Sequence, residues 1–170
     1  AYDLLSLSAQ EAFARLRVFR IAYGAVHHSG DVSVMELHEI FTDFFEHGHI
    51  EYEWLNVDKF TNISISTYIR QLIANMITIV ATALVYGGKI SVVLEKGEQH
   101  SKRIRIVGEH EKVKHDIELS EILQGKSKTS DITTRNVQAF FLAGLVKRLG
   151  VNLEYQEFPN RVECTVTYVK

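Results

Sequence analysis

Apolar side chains in the first 28 residues follow a heptad pattern. They recur at intervals of alternately four and three residues, and they form a seam of Leu5, Ala9, Ala12, Leu16, Phe19 and Tyr23. This pattern is typical of a helix that packs lengthwise against another helix. Two interpretations are open: the helix packs on its own domain, or it is half of a helical hairpin that dimerises into a four-helix bundle. The regularity of the seam favours the bundle.

The pattern downstream predicts alternating helices and strands. A capping-box motif at residues 33–36 predicts the start of a second helix. Period-two alternation at residues 50–54 predicts a strand with one buried face. Helical spacing over residues 64–86 predicts a central helix, and we expect Gly87 and Gly88 to end it as a left-handed cap.

The second half of the chain predicts two hairpins and a last helix. Asp131 or Thr133 is expected to cap that helix, which runs to Leu149. A short helical turn is expected at residues 117–123. The hairpins are predicted from β-branched runs, at residues 90–94 with 103–107 and at residues 151–155 with 161–169. Because helices and hairpins are segregated, this order predicts an α/β sandwich, a mixed sheet with three helices on one face.

Composition narrows the class of protein. The 170 residues are 46% hydrophobic and 24% charged, as in an ordinary globular domain. A net charge of −2 gives no broad electrostatic footprint for nucleic acid. The longest apolar run, residues 77–86, is too short to cross a bilayer. One cysteine, Cys164, excludes an internal disulfide, and together with the absence of an export signal it favours the cytoplasm.

The central helix and the strand after it resemble the ATPase-like (Bergerat-type) domain of histidine kinases, gyrases and Hsp90-type chaperones. The resemblance rests on the run from Gln71 to Ile77 and on Gly87-Gly88 followed by a β-branched strand. In that family the helix carries two asparagines on consecutive turns, and the second coordinates Mg²⁺. Here Asn75 stands at the first place and Ile79 at the second, and isoleucine offers no oxygen ligand.

Two loops that hold nucleotide in that family are also missing. Residues 107–111 read VGEHE where active members carry Asp-x-Gly-x-Gly. Residues 136–141 read NVQAFF where a glycine-rich loop wraps the phosphates. We therefore expect a degenerate kinase-like domain that uses no ATP and no other cofactor. An active histidine kinase fragment is disfavoured for the same reasons.

A narrower resemblance covers both ends of the chain. The segment FRIAYGA at residues 19–25, with SAQ at residues 8–10, is similar to the second hairpin helix of the ChpT-type histidine phosphotransferases, and VQAFF at residues 137–141 is similar to their last helix. The resemblance implies a dimerising hairpin helix at residues 1–29 and a degenerate kinase-like domain at residues 30–170. It implies phosphoryl transfer in a two-component phosphorelay, between receiver domains of a hybrid histidine kinase and a CtrA-like response regulator. The alternative is a non-catalytic dimeric adaptor with a kinase-like fold.

The resemblance also implies a phosphorylated histidine in a His-Asp pair on the first hairpin helix. No histidine of this sequence fits that place, so we expect the phosphoaccepting histidine upstream of Ala1, and the catalytic residue within this sequence is unknown. His115-Asp116 is interpreted as surface. His47 and His49 flank a glycine, but without carboxylates at a defined spacing no metal site is predicted.

Receiver docking is expected beside the seam of the first helix. Arg15 and Arg20 suit the acidic surroundings of a receiver's phosphorylation site, and Phe19 suits the core of an interface. The competing interpretation is that the two arginines are solvated flank charges and Phe19 belongs to the dimer core.

Overall fold

The computed structural model describes residues 2–24, 32–60, 64–96, 101–127 and 131–169. Five helices and seven strands are found in these ranges, besides a short 3₁₀ turn at Val57–Phe60. The helices are α1 (Tyr2–Tyr23), α2 (Val34–Phe45), α3 (Thr67–Thr82), α4 (Ile117–Leu123) and α5 (Val137–Leu149). The strands are β1 (Val32–Ser33), β2 (Ile50–Trp54), β3 (Ser64–Ile65), β4 (Gly88–Lys96), β5 (Ser101–Glu109), β6 (Asn152–Phe158) and β7 (Arg161–Val169).

Five strands form one mixed sheet in the order β2-β4-β5-β7-β6. Strand β2 pairs with β4 in parallel, and the other pairs are antiparallel. Strands β1 and β3 pair separately through two residues each. The side chains that alternate inward on β5 and β7, such as Ile104, Ile106 and Cys164, are fully buried, whereas Arg103 lies on the opposite, polar face. The predicted sandwich, with helices on one face of a mixed sheet, is confirmed.

Local capping explains where the helices begin. The hydroxyl of Ser33 accepts a hydrogen bond from the Glu36 amide at 3.1 Å, as the capping-box motif predicts. Ser66 caps α3 in the same way through the Ile69 amide at 3.4 Å. The predicted first helix ended at residue 28, but residues 25–31 lie outside the described residues.

The prediction that Gly87 and Gly88 cap the central helix is wrong. Helix α3 ends at Thr82, and its cap, Ala83, is right-handed. The glycines have φ angles of 91° and 130° and form the turn into β4. A Cβ on Gly87 would lie 2.6 Å from the carbonyl oxygen of His49. The two glycines are therefore required where the backbone enters β4 beside the start of β2.

The predicted cap of the last helix is also wrong. Asn136, not Asp131 or Thr133, precedes α5, and its side chain makes no capping hydrogen bond to the helix. Its amide instead donates to Glu118 at 2.8 Å and to the Asp131 carbonyl at 3.1 Å, and it accepts from the Thr133 amide at 2.7 Å. Because Asn136 is buried, tertiary contacts decided the helix start.

Candidate functional site

Helix α1 has two apolar faces. Its inner face, Ala14, Val18 and Ala22, is buried against α2 and α3, and Val18 and Ala22 have no exposed surface. This face was not predicted from the sequence, although spacing by four residues in the second half of the helix was a signal for it. The helix therefore packs on its own domain, but through a face other than the heptad seam.

The heptad seam forms the outer face of α1, on roughly the opposite side of the helix from Ala14 and Val18. Leu5 is 70% exposed, Leu16 62% and Phe19 52%, and both seam alanines are also exposed. Phe13, exposed by 68%, borders this apolar surface, whereas Leu4, exposed by 71%, lies on the side of the helix that carries Ala22. A contiguous apolar stripe on a helix is unusual for a surface that faces only water.

Tyr23 is where the outer face meets the sandwich. Its ring stands edge-on to Phe141 of α5, with centroids 5.1 Å apart, and lies 6.2 Å from the ring of Phe19. Burial raises the pKa of the Tyr23 hydroxyl, and a hydrogen bond with Gln138 acts in the opposite direction. Tyr23 therefore differs from the other seam residues, because it contacts α5 of its own chain.

The predicted docking arginines flank the outer face. Arg15 and Arg20 are both exposed and project to either side of the seam at 3.6 residues per turn. Arg17, by contrast, forms an ion pair with Asp43 of α2 at 2.7 Å. Arg15, Phe19 and Arg20 are thus all accessible, with the two arginines about 140° apart around the helix and Phe19 between them, whereas Arg17 belongs to the contact between helices.

Asn75 connects α3 to the end of α1. Its side-chain nitrogen donates to the carbonyl oxygen of Ala22 and to that of Gln71, both at 2.9 Å, and the residue is fully buried. Gln71 donates from its own amide to the Gly24 carbonyl at 3.4 Å. The amide group that stands at the place of a nucleotide ligand in the resembled family therefore binds the last turn of α1.

Residues at the other nucleotide-binding positions of the resembled family are packed within or against the core. Ile79 is fully buried among apolar core residues. Gly108, at the place of the family's glycine loop, lies inside β5, and a Cβ there would be 2.6 Å from Val80. Phe140 and Phe141 pack against the core where a phosphate loop would lie.

A cavity of about 670 Å³ remains between the end of α3, α4 and the start of α5. Lys114, Arg135, Asp116 and Glu118 line it, so its charges balance. Asp116 caps α4 through the Leu119 amide at 3.0 Å, and Glu118 accepts from Asn136. Both carboxylates are therefore committed to structural contacts.

The described histidines form no recognisable catalytic group. His115 contacts the carbonyl oxygen of Phe158 at 2.8 Å, and its neighbour Asp116 caps a helix, so the pair serves the fold. His47 and His49 are exposed. Within the described residues, no group of three or more histidine, cysteine, aspartate or glutamate side chains could hold a metal ion, and no helix is long and apolar enough to cross a membrane.

Comparison with known proteins identifies the family. The sequence profile described as the histidine phosphotransferase C-terminal domain matches residues 34–160. The chain belongs to the histidine phosphotransferase family. A search of curated protein sequences finds no significant match.

Solved structures confirm the fold of this histidine phosphotransferase domain. A bacterial phosphotransferase superposes with a TM-score of 0.79 at 21% identity, over 97% of this chain and 77% of that one. The catalytic domain of histidine kinase ThkA superposes with a TM-score of 0.58 at 17% identity, over 83% of this chain and 96% of that one. The histidine kinase domain of a blue-light activated kinase from Erythrobacter litoralis superposes with a TM-score of 0.57 at 12% identity, over 96% of this chain and 81% of that one. The domain therefore has a histidine-kinase-like fold.

Proposed function

We propose that this chain is the dimerising and receiver-docking part of a phosphorelay protein. A phosphoryl group reaches the protein from the receiver of a hybrid histidine kinase and passes to a CtrA-like response regulator. The observation that carries this proposal is the outer face of α1, whose apolar side chains are exposed although the opposite face of the same helix is buried. Membership of the histidine phosphotransferase family supports the chemistry.

The outer face of α1 is the proposed dimer interface. Pairing with a second hairpin helix and its copy in the other subunit would form a four-helix bundle and cover Leu5, Leu16 and Phe19. We retain residues 1–29 as the dimerising region and residues 30–170 as the degenerate kinase-like domain. The cytoplasm remains the proposed location, and the cysteine that motivates it is a buried free thiol.

The phosphoaccepting histidine is proposed to lie on the other hairpin helix. None of the histidines among the described residues is on α1, and the one that precedes an aspartate, His115, contacts a backbone carbonyl away from the outer face. Transfer from an aspartyl phosphate requires mainly positioning, because the phosphoryl group is already activated and the receiver supplies Mg²⁺. The fold can therefore act without nucleotide.

ATP independence is tested by calorimetry with ATP and Mg²⁺. We expect no heat of binding, because Asn75 is bonded to the Ala22 carbonyl and Ile79 offers no ligand oxygen. An Ile79→Asn variant serves as a control for the metal position alone, and we expect it to stay silent, since the glycine loops are also missing. Micromolar, Mg²⁺-dependent binding by the unaltered protein would contradict this part of the proposal.

Receiver docking is tested by charge reversal at Arg15 and Arg20. Each variant, to glutamate, should slow phosphoryl transfer from a phosphorylated receiver to the full product of the gene without changing its dimerisation. Arg103→Glu is the control, because Arg103 is also exposed but lies on the polar face of the sheet, away from the helices. An unchanged rate of phosphoryl transfer in both α1 variants would indicate that receivers dock on another surface.

The same assay separates phosphotransfer from the adaptor alternative. A phosphotransferase acquires radiolabel on its own chain, and acid treatment removes it, as expected for phosphohistidine. An adaptor binds the receivers and dimerises but acquires no label. Label on both receivers and never on this protein would favour the adaptor.

A further inference from the structure

Helix α1 is anchored through its C-terminal half. Every side chain from residue 3 to residue 13 is exposed, whereas Ala14, Val18 and Ala22 are buried against α2 and α3. Leu5 lies seventeen residues before Ala22, which corresponds to about 25 Å along a helix. The contacts of the C-terminal half of α1 therefore determine the direction in which its exposed N-terminal half projects.

Two side-chain amides on α3, those of Asn75 and Gln71, restrict the direction in which α1 projects. Carbonyl oxygens in the last turn of a helix lack partners within the helix. Asn75 donates to the Ala22 carbonyl at 2.9 Å, and Gln71 donates to the Gly24 carbonyl at 3.4 Å. Apolar contacts at Val18 and Ala22 tolerate small rotations, but these hydrogen bonds depend on both angle and distance.

Asn75 also carries a feature that core stability does not explain. Its side-chain oxygen is buried and has no hydrogen-bond partner among the residues that the structure describes. A buried polar atom without a partner disfavours the folded state, and an apolar residue of similar volume would avoid this effect at position 75. An asparagine at position 75 is therefore better explained by the carbonyl oxygens that its side-chain nitrogen binds than by the packing of α3.

We propose that Asn75, with Gln71, is a positioning residue for phosphotransfer: the two amides clamp the end of α1 and so set the direction of its outer face relative to the kinase-like domain. A rotation of about 10° at the clamp would displace Leu5 by about 4 Å, given the rise of a helix. Phosphoryl transfer is sensitive to displacements on the order of 1 Å. The consequence for transfer rests on the proposed function, whereas the clamp itself does not.

The clamp is tested by distances between spin labels on α1 and on the sandwich. Glu11→Cys and Glu121→Cys place labels at exposed sites, and the native Cys164 is fully buried and should not react. Labelled protein is mixed with excess unlabelled protein, so that distances between subunits do not contribute. Asn75→Leu and the nearly isosteric Gln71→Met remove one donor each. Ile77→Ala, at a fully buried site on the same helix, is the control for loss of packing.

We expect both donor variants to broaden the distance distribution or shift it by several Å, and the control to leave it unchanged. Distributions equal to the wild type in both donor variants would overturn the clamp. In the full gene product, Asn75→Leu should slow phosphoryl transfer at saturating receiver about 10- to 100-fold with an intact dimer. If the distance distribution of Asn75→Leu changes but its rate of phosphoryl transfer does not, Asn75 is not a positioning residue for transfer. If the unaltered protein transfers nothing, the proposed function fails, while the distances still decide the clamp.

Discussion

Two substitutions two residues apart on α1 should have opposite effects on folding and on association. Leu16 lies on the outer face and is 62% exposed, and Val18 lies on the inner face with no exposed surface. Leu16→Glu should break the dimer and leave the fold of the single chain intact. Val18→Glu should destabilise the fold itself, because it places an unpaired charge in the core.

The magnitudes follow from burial. An exposed substitution typically changes the free energy of unfolding by less than about 0.5 kcal/mol, which is the expectation for Leu16→Glu in the monomer. An unpaired charge buried in an interface costs on the order of 3 to 5 kcal/mol. Since a two-fold dimer contains the position twice, association should weaken by at least 100-fold, an order-of-magnitude estimate at about 1.4 kcal/mol per decade. Val18→Glu should lower the free energy of unfolding of the single chain by a comparable amount, on the order of 3 to 5 kcal/mol.

Light scattering at several concentrations measures association, and urea unfolding measures the stability of each variant. Arg103→Glu, on the polar face of the sheet, controls for a charge reversal at a distance from α1. An unchanged dimer in Leu16→Glu would refute the assignment of the outer face. A loss of monomer stability in Leu16→Glu equal to that in Val18→Glu would refute the two-face description of α1.

Three further predictions concern the sandwich. Gly108→Ala should lower the free energy of unfolding by about 1–3 kcal/mol, because its Cβ would lie 2.6 Å from Val80, as urea denaturation can measure. Gly144→Ala should raise it by up to about 1 kcal/mol in the same assay, since no other atom of the described residues lies within 4 Å of that Cβ in the middle of α5. Burial raises the pKa of the Cys164 thiol from 9.0 to about 12. The unfolded chain therefore loses this proton first as the pH rises above 9, so stability should fall between pH 9 and 12, and less steeply in Cys164→Ala. Reaction of native Cys164 with a thiol reagent near pH 8 would contradict its burial.

The strands and helices were predictable because their signals are local. Alternation at residues 50–54 and β-branched runs such as residues 90–94 predicted strands that the structure contains, and the capping box at Ser33 correctly located the start of α2. The two wrong caps have a common cause. Gly87 is required by the approach of the His49 carbonyl, and Asn136 is held by Glu118. Both partners are distant in sequence, so no local pattern contains them.

By itself the sequence determined the class of fold and the family, and it supports the prediction that the domain uses no ATP. An isoleucine at position 79 has no oxygen ligand in any conformation, so side-chain identity alone was sufficient for that prediction. The tertiary structure decided which face of α1 is free, because a helix with two apolar stripes leaves the choice to packing. It also decided the hydrogen-bond partners of Asn75, since the Ala22 carbonyl that accepts its hydrogen bond is 53 residues away in sequence. Hydrogen-bond partners of a buried amide depend on which segments fold together, and composition and spacing do not contain that information.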